Sequence, residues 1–255
     1  MSDHFYLTLP SDASATYYPD NTIARYVVKL PERIRLDGNY EVGLSEIVYS
    51  HSWYNFDNRD ERYWIGAFNS VTNKISAMAV MKSGFYEDGK IFADTLNQQM
   101  TRAFAAIPNI SVQLTFVEHV GRMRMQVRSS DGIAVIVSPD LLEILGFRRV
   151  LRFANDVDVV GFAPFDVNRG LNLVYIYCDI ASHSTVGDIR APLLRVCNVS
   201  GKNGRVVRIT YHRPHYVPVG RREFDTVGIA INNELGKPMP FEFGKTIVTL
   251  HFRRR

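Results

Sequence analysis

Apolar residues recur along this 255-residue chain in short runs separated by Gly, Pro, Asn and Asp. That spacing belongs to a sandwich or barrel rather than to alternating strand and helix units. Strands are predicted at Phe5–Leu9, Thr22–Leu30, Tyr40–Tyr49, Tyr63–Phe68, Lys74–Met81, Val112–Val117, Met123–Val127, Ala134–Val137, Leu171–Ile180, Leu193–Val199, Val206–Tyr211, Thr226–Ile231 and Thr246–Phe252. In the last run Val248, Leu250 and Phe252 alternate with Thr249, His251 and Arg253, the period of a strand with one buried face. Hairpin signals stand at Val117–Met123 and Arg128–Ile133, each with a Gly where a turn needs positive φ. Gly236-Lys-Pro-Met-Pro240 reads as a rigid turn that puts Phe241 and Phe243 on one face of an extended segment, as core residues.

Helical period is confined to two segments. Phe92, Leu96, Met100, Ala103, Phe104 and Ile107 recur at three and four, which predicts a helix over Ile91–Ile107 with one apolar stripe. A shorter helix is signalled by Ser138 as N-cap, Pro139 at the first helical position, the run Leu141–Leu145 and Gly146 as its stop. Both are expected to cover sheet edges or faces. Without a linker rich in Pro, Gly and Ser, the chain reads as one domain over residues 1–255. The polar stretch Arg148–Gly170, punctuated by Phe153, Phe162 and Phe165, reads as an ordered insertion around 148–170.

Composition leans the same way, with 13 Tyr and 15 Phe suited to pleated, half-buried surfaces. Hydrophobic residues at 46% and charged residues at 22% exclude a disordered chain. The net charge of +4 is too thin over this length to define a nucleic-acid binder. Basic groups do gather at Arg148-Arg149 with Arg152, at Arg221-Arg222 and at Arg253-Arg254-Arg255, and each group also reads as the solvated end of a strand or loop. Cys178 and Cys197 lie in strand-like runs without CxxC spacing and read as small buried hydrophobes, fitting a reducing compartment. Met1–Phe5 has no basic start leading into an apolar run, so neither a secretory leader nor a membrane association is expected.

Candidate chemistry is thin. His212-Arg-Pro-His215 offers two imidazoles, but Pro214 favours extended backbone and neither Cys nor an acidic cluster completes a metal site. Gly43-Leu-Ser45 lacks the second Gly of a nucleophile elbow. Gly244-Lys245-Thr246 has Met239 where a phosphate loop needs its first Gly. Asp156 with Asp158 and Glu87 with Asp88 read as solvated loop carboxylates. The expectation is a protein that is not an enzyme and uses no cofactor or metal.

Several segments form a recognisable set: Phe5–Ser11, Tyr18–Thr22, Tyr40–Tyr49, Leu145-Gly-Phe147, Val174–Asp179 and above all Phe241–Phe252. From one end of the chain to the other they resemble the penton (minor capsid) proteins of Polinton/Maverick-like viruses and adintoviruses. The resemblance implies a mainly β single jelly-roll sandwich, here with extra strands and two short helices. It further implies a structural penton subunit that forms a homopentamer at icosahedral vertices and contacts the double jelly-roll major capsid protein. Its place would be the virion capsid, after synthesis in the host cytoplasm and with assembly in the nucleus.

Under that reading the aromatics set among turn residues, Tyr17, Tyr18, Trp53, Tyr54 and Phe56, are candidate subunit contacts. Arg253, Arg254 and Arg255 are the candidate weak contact with packaged DNA. The alternative is a jelly-roll binding module, a trimeric lectin-like or receptor-binding head, which has the same periodicity. A cupin-like metalloenzyme would need His residues paired along inward-facing strands, a pattern that His4, His51, His119, His183 and His251 do not form.

Overall fold

The structure is a computed structural model and describes residues 3–130, 132–148, 152–154, 156–168 and 171–255. Where the sequence reads as one domain, the chain forms two compact units, Met1–Trp53 with Gly170–Arg255, and Tyr54–Arg169. The first unit opens with β1 (His4–Pro10), β2 (Arg25–Arg35) and β3 (Tyr40–Ser50). The second contains β4 (Trp64–Asn69), β5 (Lys74–Val80), helix α1 (Gly89–Ala103), β6 (Ile110–Val117), β7 (Arg122–Ser129), β8 (Ile133–Val137), helix α2 (Pro139–Ile144), β9 (Arg152–Ala154) and β10 (Val157–Val160). The first unit resumes with β11 (Leu173–Cys178), β12 (Ser184–Val186), β13 (Ile189–Ala191), β14 (Leu193–Asn198), β15 (Val206–Thr210), β16 (Tyr216–Pro218), β17 (Glu223–Asn233) and β18 (Ile247–Arg254).

Four antiparallel pairs in the first unit nest inside one another along the chain: β1 with β18, β2 with β17, β3 with β15, and β11 with β14. Together they amount to one long hairpin. Two further pairings, β18 with β3 and β17 with β11, roll it into two facing sheets of order β1-β18-β3-β15 and β14-β11-β17-β2. That topology is a jelly roll, and the expected mainly β fold is the one observed. β16 adds to β3 beside β15, and β12 with β13 forms a separate hairpin.

Strand alternation fills the core between the sheets. Val248, Leu250 and Phe252 of β18 are wholly buried, as their period predicts, against Leu9, Tyr26, Leu44, Ile47, Ile176 and Ile229. Phe241 packs on this core, but Phe243 is 56% exposed, correcting the expectation that both rings are core. Residues 240–243 form no strand, so period two does not apply there. Ser52 holds this segment instead, its Oγ donating to the Phe243 carbonyl at 2.7 Å.

The second unit has its own core, with Ile65, Phe92, Leu96, Met100, Leu114, Met125, Val135 and Leu141 buried. Its sheets are β5-β4-β8-β9 and β10-β7-β6, and α1 packs on β5 and β6. The insertion expected around 148–170 is thus the tail of a much longer one, and residues 149–151, 155, 169 and 170 lie outside the described residues. Gly121 makes the predicted β6–β7 turn at φ 63°. Gly132, at φ 82°, turns the chain between β7 and β8, which join different sheets, so that signal marks a sheet crossing rather than a hairpin.

Helix α1 begins two residues before the predicted start because the Asp88 carboxylate accepts the Ile91 N–H at 2.8 Å. It ends at Ala103, with Phe104 as C-cap. Ser138 precedes α2 as expected, but its Oγ accepts the Trp64 N–H instead of capping the helix.

Gly146 stops α2 at φ 75°, and a Cβ there would lie 2.1 Å from the Ala163 carbonyl oxygen. Gly204 also has positive φ, at 78°, but faces open space. Gly204→Ala is expected to cost about 1–2 kcal/mol of backbone strain, and Gly146→Ala clearly more, because the clash adds to the strain. Chemical denaturation of both variants checks the difference.

Candidate interaction surfaces

The two edges of the jelly roll differ in how far they are covered. On one side β1 and β2 are joined by the Tyr26 hydroxyl, which donates to the Leu9 carbonyl at 3.1 Å. The loop between them then folds back on the edge of β2. Asn21 accepts the Val27 N–H and donates to the Val27 carbonyl, each at 2.9 Å, while Ser14 Oγ accepts the Lys29 N–H at 2.9 Å. Side chains thereby occupy groups that would otherwise pair with another strand. Ser14 itself sits at φ 59° and its carbonyl accepts the N–H groups of Tyr17 and Tyr18.

Of the five aromatic contact candidates, Tyr17 is 72% exposed, Tyr54 is 43% exposed and Tyr18 is half-buried. Trp53 and Phe56 are corrections: at 1% and 2% exposure they offer no surface. Trp53 stacks on His51 at 4.0 Å and meets Phe241 edge-on at 5.5 Å in the first core. Phe56 lies among Tyr63, Tyr86 and Phe92 in the second core. The segment has the composition of an interface loop because the chain leaves one core and enters another there, contributing an aromatic to each.

The opposite edge is formed by β14 and β15. Here the Tyr211 hydroxyl donates to Cys197 Sγ at 2.9 Å, and Arg195 lies over the Tyr211 ring at 3.7 Å. Among the described residues, no hydrogen bond reaches the outer backbone edge of β14. Both cysteines are free and buried, matching their reading as small hydrophobes, and burial pushes the Cys178 thiol up to about 12.

The basic groups are largely engaged. Arg253 reaches Glu41 at 2.5 Å and lies 3.7 Å over the Tyr216 ring. Arg254 approaches Asp3 at 3.9 Å, and Arg255 is exposed with no ion pair among the described residues. Arg221 pairs with Asp179 at 3.4 Å, while Arg148 and Arg152 lie over Phe162 and Phe68; Arg149 is outside the described residues. Asp158 is bound by Arg124 at 2.8 and 2.5 Å, which holds its carboxyl down to about 2 and makes it a cross-strand ion pair. An apolar recess of about 410 Å³ in the second unit is lined by Phe147, Phe153, Val159 and Phe162 and flanked by Arg122 and Arg148. Among the described residues, no three His, Cys, Asp or Glu side chains gather as a metal site, and His212 and His215 are both exposed.

A polar cluster missed by sequence reasoning lies on the outer face of β1, β18 and β16. Tyr6 stacks on His251 at 4.4 Å, His4 meets it edge-on at 5.8 Å, and the Tyr216 hydroxyl lies 2.6 Å from its Nδ1. Burial, and then the neighbouring His4 and Arg253, hold His251 below the ordinary imidazole range. A folded value below the unfolded one of about 6.5 means that stability is lost as pH falls through about 6.5. The thermal midpoint is expected to drop between pH 7 and 5, and by less in His251→Gln, as calorimetry across that range would show.

No family model matches the sequence, and no curated protein matches it. Solved structures do match along its length. The mavirus penton protein superposes with a TM-score of 0.52 at 13% identity, over 98% of this chain and 99% of that one. A chain of the Sputnik virophage particle gives 0.50 at 10% identity, over 100% and 98%. At these identities the likeness is one of fold, and it extends over both units.

Proposed function

We propose that this chain is a structural subunit of a viral capsid, with five copies closing a ring at each icosahedral vertex and bordering a double jelly-roll major capsid protein. The observation that carries the reading is the end-to-end likeness to the mavirus penton protein. A jelly roll alone serves many roles and identifies none. Here the likeness also takes in the long unit nested between β3 and β11, an addition that a generic roll does not need.

The work of such a protein is assembly, and it asks for no reacting group. Exposed Tyr17 and Tyr54, with Tyr18 beside them in kind, supply area at low entropic cost for subunit contacts. Of the arginine trio, Arg254 and Arg255 are the ones left to meet DNA phosphates, because Arg253 is held by Glu41 and Tyr216.

Light scattering coupled to size exclusion is expected to give five chain masses for the purified protein, alone or with the major capsid protein present. A trimer would overturn the reading in favour of a receptor-binding head, and a monomer under both conditions would overturn it outright. Retention on DNA is expected to be weak and salt-sensitive, and Arg254→Ala with Arg255→Ala is expected to flatten the salt slope by about 2.

A further inference from the structure

Resting on the capsid reading, we propose that copies of this chain join head to tail, the open β14/β15 side of one jelly roll receiving the Ser11–Asn21 loop of the next. The loop and the β14/β15 side are unlike in backbone, in charge and in exposed side chains.

On the β1/β2 side the loop already satisfies β2 and projects Tyr17 between two carboxylates in sequence, Asp12 and Asp20. Asp20 has no ion pair among the described residues, and Asp12 meets only Lys245, at 3.3 Å. On the β14/β15 side the outer backbone groups of β14 have no partner among the described residues. Val196 and Val206 stand 39% and 70% exposed there. Lys202 and Arg205 are exposed without ion pairs among the described residues, and Arg208 has only Glu46 at 3.8 Å.

An acidic loop bearing tyrosines and an arginine-rich edge bearing exposed valines are complementary in charge and in kind. Pairing the loop with the loop of its own copy, or the β15 edge with its own copy, would set like charges together. The contact is therefore between two different patches, and a heterologous contact of that sort builds rings when its rotation closes.

Cross-linking tests the contact directly, because the native Cys178 and Cys197 are buried. With Tyr17→Cys and Val206→Cys on one chain, a short bismaleimide is expected to give a ladder of covalent multimers ending at five. An equimolar mixture of the two single variants should stop at dimers, and each single variant alone should give none. Arg205→Glu with Arg208→Glu is expected to abolish the five-fold mass, and adding Asp12→Lys and Asp20→Lys to the same chain should restore it. If the wild-type chain assembles five-fold, yet the double variant gives no ladder and the arginine reversal changes nothing, this contact is overturned while the capsid reading stands. Dimers from a single-cysteine variant would mean a self-facing contact and would also overturn it. A chain that stays monomeric with the major capsid protein present, and gives no ladder, overturns both.

Discussion

The jelly roll depends on one long-range pairing, β1 against β18. In that register Phe5 faces Phe252, Leu7 faces Leu250 and Leu9 faces Val248, and the rings of Phe5 and Phe252 stack at 4.6 Å. Every other pair in the nested hairpin lies inside this one along the chain. Bringing these strands together closes nearly the whole sequence into a loop, and contacts of that separation are slow to form. The cost is moderated by loop entropy growing only logarithmically with length. That weak dependence also explains how a unit as long as Tyr54–Arg169 can sit between β3 and β11 without preventing closure. Because that unit buries a core of its own, its residues need not remain a disordered loop while the roll closes.

Closure leaves four outer strands, and the chain treats them unequally. Tyr26, fully buried, and Tyr211, partly buried, each pack a ring on the core and send a hydroxyl to the neighbouring edge, one to the Leu9 carbonyl and one to Cys197 Sγ. A phenol suits this position because its ring fills apolar space while its hydroxyl needs a polar partner. Beyond those two ties the symmetry stops. Asn21 imitates a strand residue by both donating to and accepting from Val27, which removes β2 as a template for another chain. Nothing comparable lies along β14 among the described residues.

Strands with one buried face were legible in the sequence because their period is local. Val248, Leu250 and Phe252 carry the whole signal in five residues. The strands that escaped, β9, β10, β12, β13 and β16, are three or four residues long and too short to display a period. The two-unit organisation escaped for another reason: the sequence shows no linker, since the chain crosses between cores within Trp53–Phe56 and both end residues are buried. Trp53 and Phe56 consequently carried the composition of a contact surface while serving two interiors. The capping by Asn21 and Ser14 was not legible, because what they cap is defined by tertiary folding of the loop. His251 was identified by alternation as outward-facing, but Tyr6, His4 and Tyr216 reach it from two other strands.

Under the proposed capsid reading no reacting group marks a site, so candidate contacts are read from what the fold leaves unfinished. Exposed apolar side chains alone are poor guides, since soluble proteins carry many singly. Unpaired backbone at a sheet edge is more telling, because evolution usually blunts it. Here the same loop that blunts β2 also carries the exposed Tyr17, so protection of one edge and exposure of an aromatic ring come from a single structural element. In the proposed contact, the unblunted edge, with arginines and valines in place of a cap, is the half that receives the loop of the next copy. Asymmetry between two edges of one roll is what a closed ring of identical copies requires, since every copy must offer both halves of the contact.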